Sequence, residues 1–183
     1  MPLGQLLLLT GSPGSGKTTV APLVADHADQ SCCLNLDLFF ASLRTGAIDP
    51  WKVEAHQQNR VVLSAAASAV ATFTAGDYFT VAEGILYPFM LDLFAAACEP
   101  LGIVVNYAVL TAPLSTVLSR VQTRRAEPQH AEALDDEAVV GDLWSQFEAQ
   151  GVDARHRIDS SQGTPQDIAD TVYAHCIKGE LRL

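Results

Sequence analysis

The residues with the clearest chemical meaning form a glycine-rich segment near the N-terminus. It reads Gly11-Ser12-Pro13-Gly14-Ser15-Gly16-Lys17-Thr18, followed by Thr19, and matches the pattern G-x-x-x-x-G-K-[ST]. The apolar run at 6–10 before it favours a strand, and the stretch after it favours a helix. Such glycines let consecutive backbone N–H groups turn toward one point, where a helix N-terminus and a lysine add positive charge. The segment therefore predicts a loop for the phosphates of a nucleoside triphosphate, with the Thr18 hydroxyl placed to ligate Mg²⁺.

Two carboxylates stand at the ends of predicted strands. Asp37 directly follows the run 32–36, and Glu83 directly follows the run 78–82. Open α/β sheets bind their ligands at the carboxyl ends of the strands. We expect Asp37 to be a general base toward an acceptor hydroxyl, with Mg²⁺ ligation as a rival role and an N-cap of segment 38–43 as the structural alternative. For Glu83 we expect contact with a metal-bound water or a substrate hydroxyl, against the alternative of a polar strand end before a turn.

Three arginines are candidates for the moving phosphoryl group or the acceptor. Arg120 and Arg124 lie one turn apart on a predicted helix, and we expect them to reach over the phosphates beside a lid at about residues 121–140. The alternative is a solvated helix end where cations complement the dipole. Arg60 lies on a long helix predicted from 51 to 75, where an acceptor contact and a surface salt bridge are equally good interpretations.

The acceptor pocket is expected to take its shape from two stretches, 39–60 and 84–94. Trp51 and Trp144 are expected to be packing anchors rather than platforms for a nucleobase, because each buries a large area.

The elements that must position these residues follow from the apolar runs. Besides 6–10, 32–36 and 78–82, strands are predicted at 103–110 and around 157–158, with helical segments between them. Near-continuous apolar strands that alternate with helices are typical of a parallel sheet covered on both faces. The predicted fold class is therefore doubly wound α/β. Thr164 followed by Pro165 predicts the start of the last helix.

Composition excludes several classes of protein. A chain of 183 residues with 49% apolar residues fits one domain with a substantial core. The net charge of −10 would repel a phosphate backbone, so no nucleic-acid partner is expected. The four cysteines lack C-x-x-C spacing, with Cys32 and Cys33 adjacent in a strand expected to be buried, and they indicate reduced thiols in the cytoplasm. No signal peptide or membrane span is expected. Nothing in the sequence indicates an oligomeric state.

The chain resembles the small P-loop kinases grouped with chloramphenicol phosphotransferase, gluconate kinase and shikimate kinase, particularly their uncharacterised ATPase-like members. The resemblance rests on these segments: GSPGSGKTT at 11–19, LDLFF at 36–40, IDPWKVEAHQQNR at 48–60, AEGIL at 82–86, RVQTR at 120–124 and IDSSQGTP at 158–165. It implies a five-stranded parallel sheet in the order 2-3-1-4-5, helices on both faces, a short lid, and ATP and Mg²⁺ as cofactors.

The resemblance also implies roles for single residues. A residue matched by Asp37 activates the acceptor hydroxyl in such kinases, residues matched by Arg120 and Arg124 clamp phosphates, and the stretch from Ser160 to Thr164 lines the adenine. Glu83 departs from the Asp that relatives commonly carry before the glycine.

The predicted activity is ATP-dependent transfer of a γ-phosphoryl group to a hydroxyl of a small metabolite or antibiotic. The alternative is a nucleotide-binding regulatory module without an acceptor, and no N-K-x-D run for guanine appears. An acceptor-sized space beside Asp37 would distinguish the two.

Overall fold

Five parallel strands form the centre of the molecule. The computed structural model describes residues 4–125 and 136–183, with the backbone alone at Arg125. The strands are β1 (Gln5–Gly11), β2 (Ser31–Asn35), β3 (Phe79–Glu83), β4 (Val104–Thr111) and β5 (Arg157–Asp159). Their order across the sheet is β2-β3-β1-β4-β5, so the predicted fold class and strand order are confirmed. The strand boundaries differ from the predicted ones by one residue at most.

Helices cover both faces of this sheet. They are α1 (Lys17–Ala25), α2 (Asp37–Ala41), α3 (His56–Ala75), α4 (Leu91–Cys98), α5 (Leu114–Arg125), α6 (Glu137–Ala149) and α7 (Pro165–Lys178). Alternate residues of β1 point to opposite faces: Leu6 and Leu8 pack with α3 and α4, whereas Leu7 and Leu9 pack with α1 and α7. All four leucines are fully buried, so β1 is the centre of both cores.

The register of the sheet brings three strand ends together. Leu9 of β1 pairs with Glu83 of β3, and Glu83 pairs in turn with Asn35 of β2. The segment after β1 and the carboxylates that end or follow β3 and β2 therefore meet at one edge, which is where an open α/β sheet places its ligands.

The helix predicted from residue 51 begins later, at His56, after a short 3₁₀ segment at Val53–Ala55. Contacts to side chains of α3 hold the preceding residues as a turn. The Ile48 N–H donates to Gln58 Oε1 at 2.8 Å, and Gln58 Nε2 donates to the Ile48 carbonyl at 2.7 Å. Asn59 Nδ2 donates to the carbonyl of Pro50 at 2.7 Å. The turn therefore lies across the first turns of α3 and does not extend them.

Strand β2 is not the buried strand that the sequence predicts. Its residues are half-buried and Cys33 is exposed, because β2 lies at an edge of the sheet with one neighbour. The four cysteines are free.

The last helix begins as predicted. Thr164 caps α7 through a capping box with Asp167, and Pro165 occupies the first position. Within 4–125 and 136–183, the helices are all too short or too polar to cross a membrane.

Candidate functional site

The glycine-rich loop joins β1 to α1 and folds back on itself. Gly14 and Gly16 have φ of 78° and 101°, in the left-handed region. A Cβ atom at Gly11 would lie 2.4 Å from the carbonyl oxygen of Leu110, and one at Gly14 would lie 2.7 Å from that of Val117. The loop thus packs closely against β4 and α5, and Gly14 is required by contact as well as by backbone conformation.

Lys17, the first residue of α1, is held over this loop. Its side chain is 8% exposed, and Nζ donates to the carbonyls of Gly11 at 3.0 Å and Ser12 at 3.1 Å. Burial lowers the pKa of Lys17, and the charges of Glu83 and Asp37 oppose that shift. The first turn of α1 carries no acidic residue. The ammonium and the helix N-terminus therefore make the loop a positive site suited to an anion.

Glu83 and Thr18 bring two oxygen groups together beside Lys17. Thr18 Oγ1 lies 3.5 Å from Glu83 Oε2. Glu83 is 2% exposed, and its other oxygen, Oε1, has no hydrogen-bond partner among the described residues. Burial raises the pKa of Glu83, with the Lys17 charge opposing that shift. A buried carboxylate oxygen that lacks a partner, next to a hydroxyl, fits the hard oxygen ligands that Mg²⁺ prefers.

Asp37 is the first residue of α2, and its side chain is exposed. The structural alternative for Asp37 is wrong, because the residue at the cap of α2 is Leu36. The Asp37 N–H instead donates to Asn35 Oδ1 at 2.8 Å. The carboxylate is close enough to Lys17 and Glu83 for its charge to act on both.

Arg120 joins the loop to the segment after β5. Nη1 lies 3.4 Å from the carbonyl oxygens of Gly14 and Ser15, and Nη2 donates to the Ser160 carbonyl at 2.7 Å. Ser160 Oγ donates to the Ser15 carbonyl at 2.7 Å. The structure thus places Arg120 at the loop rather than at a solvated helix end. Arg124 lies near enough for its charge to act on Lys17.

Most of these residues line a large cavity of about 1600 Å³. Of the predicted site residues, the following line it: Pro13, Gly14, Ser15, Gly16, Lys17, Thr18, Thr19, Asp37, Arg60, Arg120, Arg124, Ser160 and Thr164. Gly11, Ser12 and Glu83 are buried and do not. Sites for one small ligand usually measure about 300–1,000 Å³. The cavity therefore has room for a nucleotide and a second ligand.

The part of the cavity beyond Asp37 is formed by the two stretches expected to shape an acceptor pocket. It extends along residues from Phe40 to Leu63 and from Ile85 to Ala96, and Leu143 and Gln146 of α6 complete it. Arg60 lies here, exposed, and forms no ion pair with another described residue, so the surface salt bridge is not found in this part of the chain.

Three features of the site differ from the sequence prediction or have little signal in the sequence. Trp51, expected to be a packing anchor, is 46% exposed and lines the cavity, whereas Trp144 packs against α5 and donates from Nε1 to the Ala112 carbonyl at 2.9 Å. No sequence motif surrounds Gln146 of α6, so the sequence does not indicate that it is a site residue. Thr10 fixes the segment after β3, since its Oγ1 accepts from the Leu86 N–H at 2.8 Å. The signal for Thr10 in the sequence is its position as the polar residue that ends the apolar run 6–10.

Of the predicted lid at 121–140, residues 126–135 lie outside the described ranges. The remainder is the last turn of α5 and the start of α6. Asp136 caps α6 and accepts from the N–H groups of Ala138 and Val139.

Comparison with known proteins supports the fold. A family model described as AAA domain matches residues 6–149. The structure is similar to a sugar kinase from a Janibacter species, with a TM-score of 0.66 and 19% identity over 93% of each chain. It is also similar to shikimate kinase from Acinetobacter baumannii in complex with shikimate, with a TM-score of 0.64 and 19% identity over 98% of this chain and 96% of the other.

A third similar structure is the APS kinase of Mycobacterium tuberculosis in complex with AMPPNP and APS. Its TM-score is 0.65, with 16% identity over 97% of this chain and 99% of the other. A search of curated proteins finds no significant match to the sequence. The fold is that of the P-loop kinases, in agreement with the resemblance seen in the sequence.

Proposed function

Because the chain belongs to the AAA domain family, whose model covers residues 6–149, we propose that it is an ATP-dependent phosphotransferase. It moves the γ-phosphoryl group of ATP to a hydroxyl of a small molecule. The observation that carries this proposal is the continuous cavity of about 1600 Å³, which is lined by both the phosphate loop and Asp37 and continues past Asp37. A module that only sensed a nucleotide would not need that additional space.

Each residue of the site has a role in this reaction. The amides of the loop and the Lys17 ammonium bind the β- and γ-phosphates. Asp37 takes the proton of the acceptor hydroxyl, as the hydroxyl oxygen bonds to the γ-phosphorus and the bond from that phosphorus to ADP breaks. Arg120 and Arg124 are the cations that neutralise charge on the moving group. The reaction is thus mostly positioning and electrostatics, which this site supplies.

The metal and the base of the nucleotide have candidate residues as well. Thr18 and Glu83 would hold Mg²⁺, directly or through water, and the ion supplies neutralisation of phosphate charge. Ser160 and Thr164 line the cavity where the adenine is expected. The Thr164 hydroxyl already forms hydrogen bonds with Asp167 at the N-cap of α7. We therefore expect Thr164 to contact the adenine through its backbone and its methyl group.

The test is a screen for phosphorylated product. Purified protein is incubated with ATP and Mg²⁺ and with separate acceptors of several classes, and ADP formation and the mass of each acceptor are followed. We expect at least one acceptor to gain a phosphoryl group in step with ADP. If no acceptor is modified and slow ATP hydrolysis is the same in wild type and Asp37→Asn, the regulatory alternative replaces this proposal.

A further inference from the structure

We propose that the acceptor is an amphipathic alcohol, with its hydroxyl on an aromatic or other apolar body, and not a polyhydroxylated sugar or sugar acid. The inference rests on the proposed phosphotransfer, since it names the class of molecule that enters the part of the cavity beyond Asp37. It follows from the side chains that form that part, which we call the acceptor wall.

The acceptor wall is mainly apolar. Its apolar side chains come from the turn and 3₁₀ segment before α3, from α3, from the segment before α4 and from α4 itself, and they include Trp51, Val53, Leu63, Phe89, Met90 and Leu93. Ligand sites of this kind bind by covering apolar and aromatic surface, and a few polar groups fix the orientation. The wall is therefore complementary to an apolar body.

Three of these side chains remain open to solvent in the absence of a ligand. Val53 is 91% exposed, Phe89 63% and Trp51 46%. Single exposed apolar residues are normal on a protein surface, but several that line the same cavity indicate a ligand site. Gln58 and Asn59 hold the turn before α3, and Trp51 in that turn and the neighbouring Val53 both line this cavity.

Several polar groups of the acceptor wall already have partners. Tyr87 Oη donates to Gln146 Oε1 at 3.1 Å, and Lys52 Nζ forms an ion pair with Asp49 at 2.9 Å. A sugar with hydroxyls on every carbon would lose its hydration here without gaining an equal number of hydrogen bonds. Unpaired polar groups are costly on binding, so the wall disfavours such a ligand.

Besides Lys52 and Tyr87, three charged or titratable side chains line this wall: His56, Arg60 and Asp92. All three are exposed. Asn59 also lines it, and its Oδ1 is buried without a hydrogen-bond partner among the described residues. These groups are sufficient to orient one or two polar substituents on an apolar body.

The experiment compares two classes of acceptor under the conditions of the product screen. The apolar class contains phenylpropanoid alcohols and 1-octanol, and the polar class contains glucose, gluconate and shikimate. We expect phosphorylated product from the apolar class. A second readout is independent of turnover: titration with each alcohol is followed by tryptophan fluorescence, and the change is expected to disappear in Trp51→Phe while Trp144 remains.

Matched variants test whether the wall recognises the apolar body. Val53→Ser and Phe89→Ala are compared with Val61→Ser and Phe73→Ala, which alter valine and phenylalanine residues that are 60% and 41% exposed but do not line the cavity. We expect the wall variants to raise KM for the apolar alcohol by about tenfold or more, with kcat retained at saturation, because one methylene in such a pocket changes discrimination by about 10–200-fold. The control variants should keep the wild-type KM.

The possible outcomes separate this inference from the proposed function. Turnover of gluconate, glucose or shikimate, with a KM that Val53→Ser and Phe89→Ala leave unchanged, would overturn the amphipathic acceptor but leave phosphotransfer standing. No product from either class, together with slow ATP hydrolysis that is the same in wild type and Asp37→Asn, would overturn both. Equal KM values in the wall variants and the controls for an apolar acceptor would show that the wall does not recognise it.

Discussion

Thr18 Oγ1 at the end of the phosphate loop lies 3.5 Å from Oε2 of Glu83 at the end of β3. The contact follows from the sheet, because Leu9 of β1 is the register partner of Glu83 and the loop begins two residues later. Glu83 keeps one buried oxygen without a hydrogen-bond partner among the described residues. A loop hydroxyl and a strand-end carboxylate thus lie side by side where the phosphate loop begins.

The first prediction concerns that pair. In Glu83→Gln the side chain keeps its size but loses its negative charge, so we expect the affinity for ATP in the presence of Mg²⁺ to fall about 10- to 100-fold, as for other groups that support a metal site. Titration calorimetry measures the affinity for ATP in the presence of Mg²⁺ and in EDTA, without the metal. Binding in EDTA should change little. An equal loss in both conditions would mean that Glu83 supports the loop and not the metal.

The second prediction is a dependence of stability on pH in the metal-free protein. Burial raises the pKa of Glu83 above its ordinary value of 4.5. The folded state therefore binds a proton more readily than the unfolded chain, and the stability from this group is complete below the unfolded pKa and lost as pH rises through the folded pKa. We expect Tm of wild type relative to Glu83→Gln to decrease from about pH 4.5 toward neutral pH. Thermal melts that give the same Tm difference between wild type and Glu83→Gln across that pH range would contradict a raised pKa of Glu83.

The third prediction concerns Asp37. Asp37→Asn keeps the shape of the side chain but cannot accept the hydroxyl proton, so we expect kcat for phosphotransfer to fall about 10²- to 10⁴-fold. The Kd for ATP should stay within about twofold of wild type, because charge, not shape, is lost at a position exposed to solvent. Asp142→Asn on α6 is the control, since Asp142 is exposed and does not line the cavity. Wild-type turnover in Asp37→Asn would remove the residue from the mechanism.

The sequence is sufficient to predict the loop and the strand-end carboxylates because both depend on local pattern. A motif next to an apolar run fixes the loop, and parallel strands necessarily bring Asp37 and Glu83 to one edge. The acceptor wall depends on contacts between distant segments. Trp51 follows a turn whose backbone is hydrogen-bonded by Gln58 at Ile48 and by Asn59 at Pro50, and no periodicity of the chain indicates those contacts.

The position of α6 could not be predicted for the same reason. Its packing on α5 and on the sheet brings Leu143 and Gln146 to the cavity through tertiary contacts, with Val140 and Phe147 buried on the same helix. The contacts of Arg120 are a third case. The spacing of the arginines predicts a phosphate clamp, but only the fold shows that Arg120 also joins the loop to Ser160.

The fourth prediction tests the packing of the phosphate loop. Gly14 has φ of 78°, and its Cβ would lie 2.7 Å from the Val117 carbonyl. Gly46 has a similar φ of 71° with nothing within 4 Å of its Cβ. We expect Gly46→Ala to reduce the free energy of unfolding by about 1–2 kcal/mol from backbone conformation alone. Gly14→Ala should cost a further 1–3 kcal/mol, roughly the penalty of overpacking, and should weaken ATP binding.

Chemical denaturation of both glycine variants measures the difference. Equal losses of stability would show that the loop is free to move away from α5, and unchanged ATP affinity in Gly14→Ala would show that its contact with Val117 does not shape the phosphate site.

The fifth prediction concerns Arg120, which holds the loop and the segment after β5 together. In Arg120→Lys the charge remains, but the lysine cannot make the hydrogen bonds of Nη1 to the loop and of Nη2 to the Ser160 carbonyl at the same time. We expect the free energy of unfolding to fall by about 1.5–3 kcal/mol, as for hydrogen bonds to charged groups, and the Kd for ATP to rise. Arg157→Lys is the control: Arg157 Nη2 lies 2.8 Å from both carboxylate oxygens of Glu148, in an exposed pair outside the cavity.

The control should cost less than about 1 kcal/mol and leave ATP binding unchanged, because exposed ion pairs contribute little. Denaturant unfolding and calorimetry are measured on the same samples. If Arg120→Lys is less stable but binds ATP as wild type does, then Arg120 stabilises the loop and does not contact the nucleotide. If it binds ATP weakly at wild-type stability, then the residue contacts the nucleotide, and its bonds to Gly14 and Ser15 contribute no net stability to the fold.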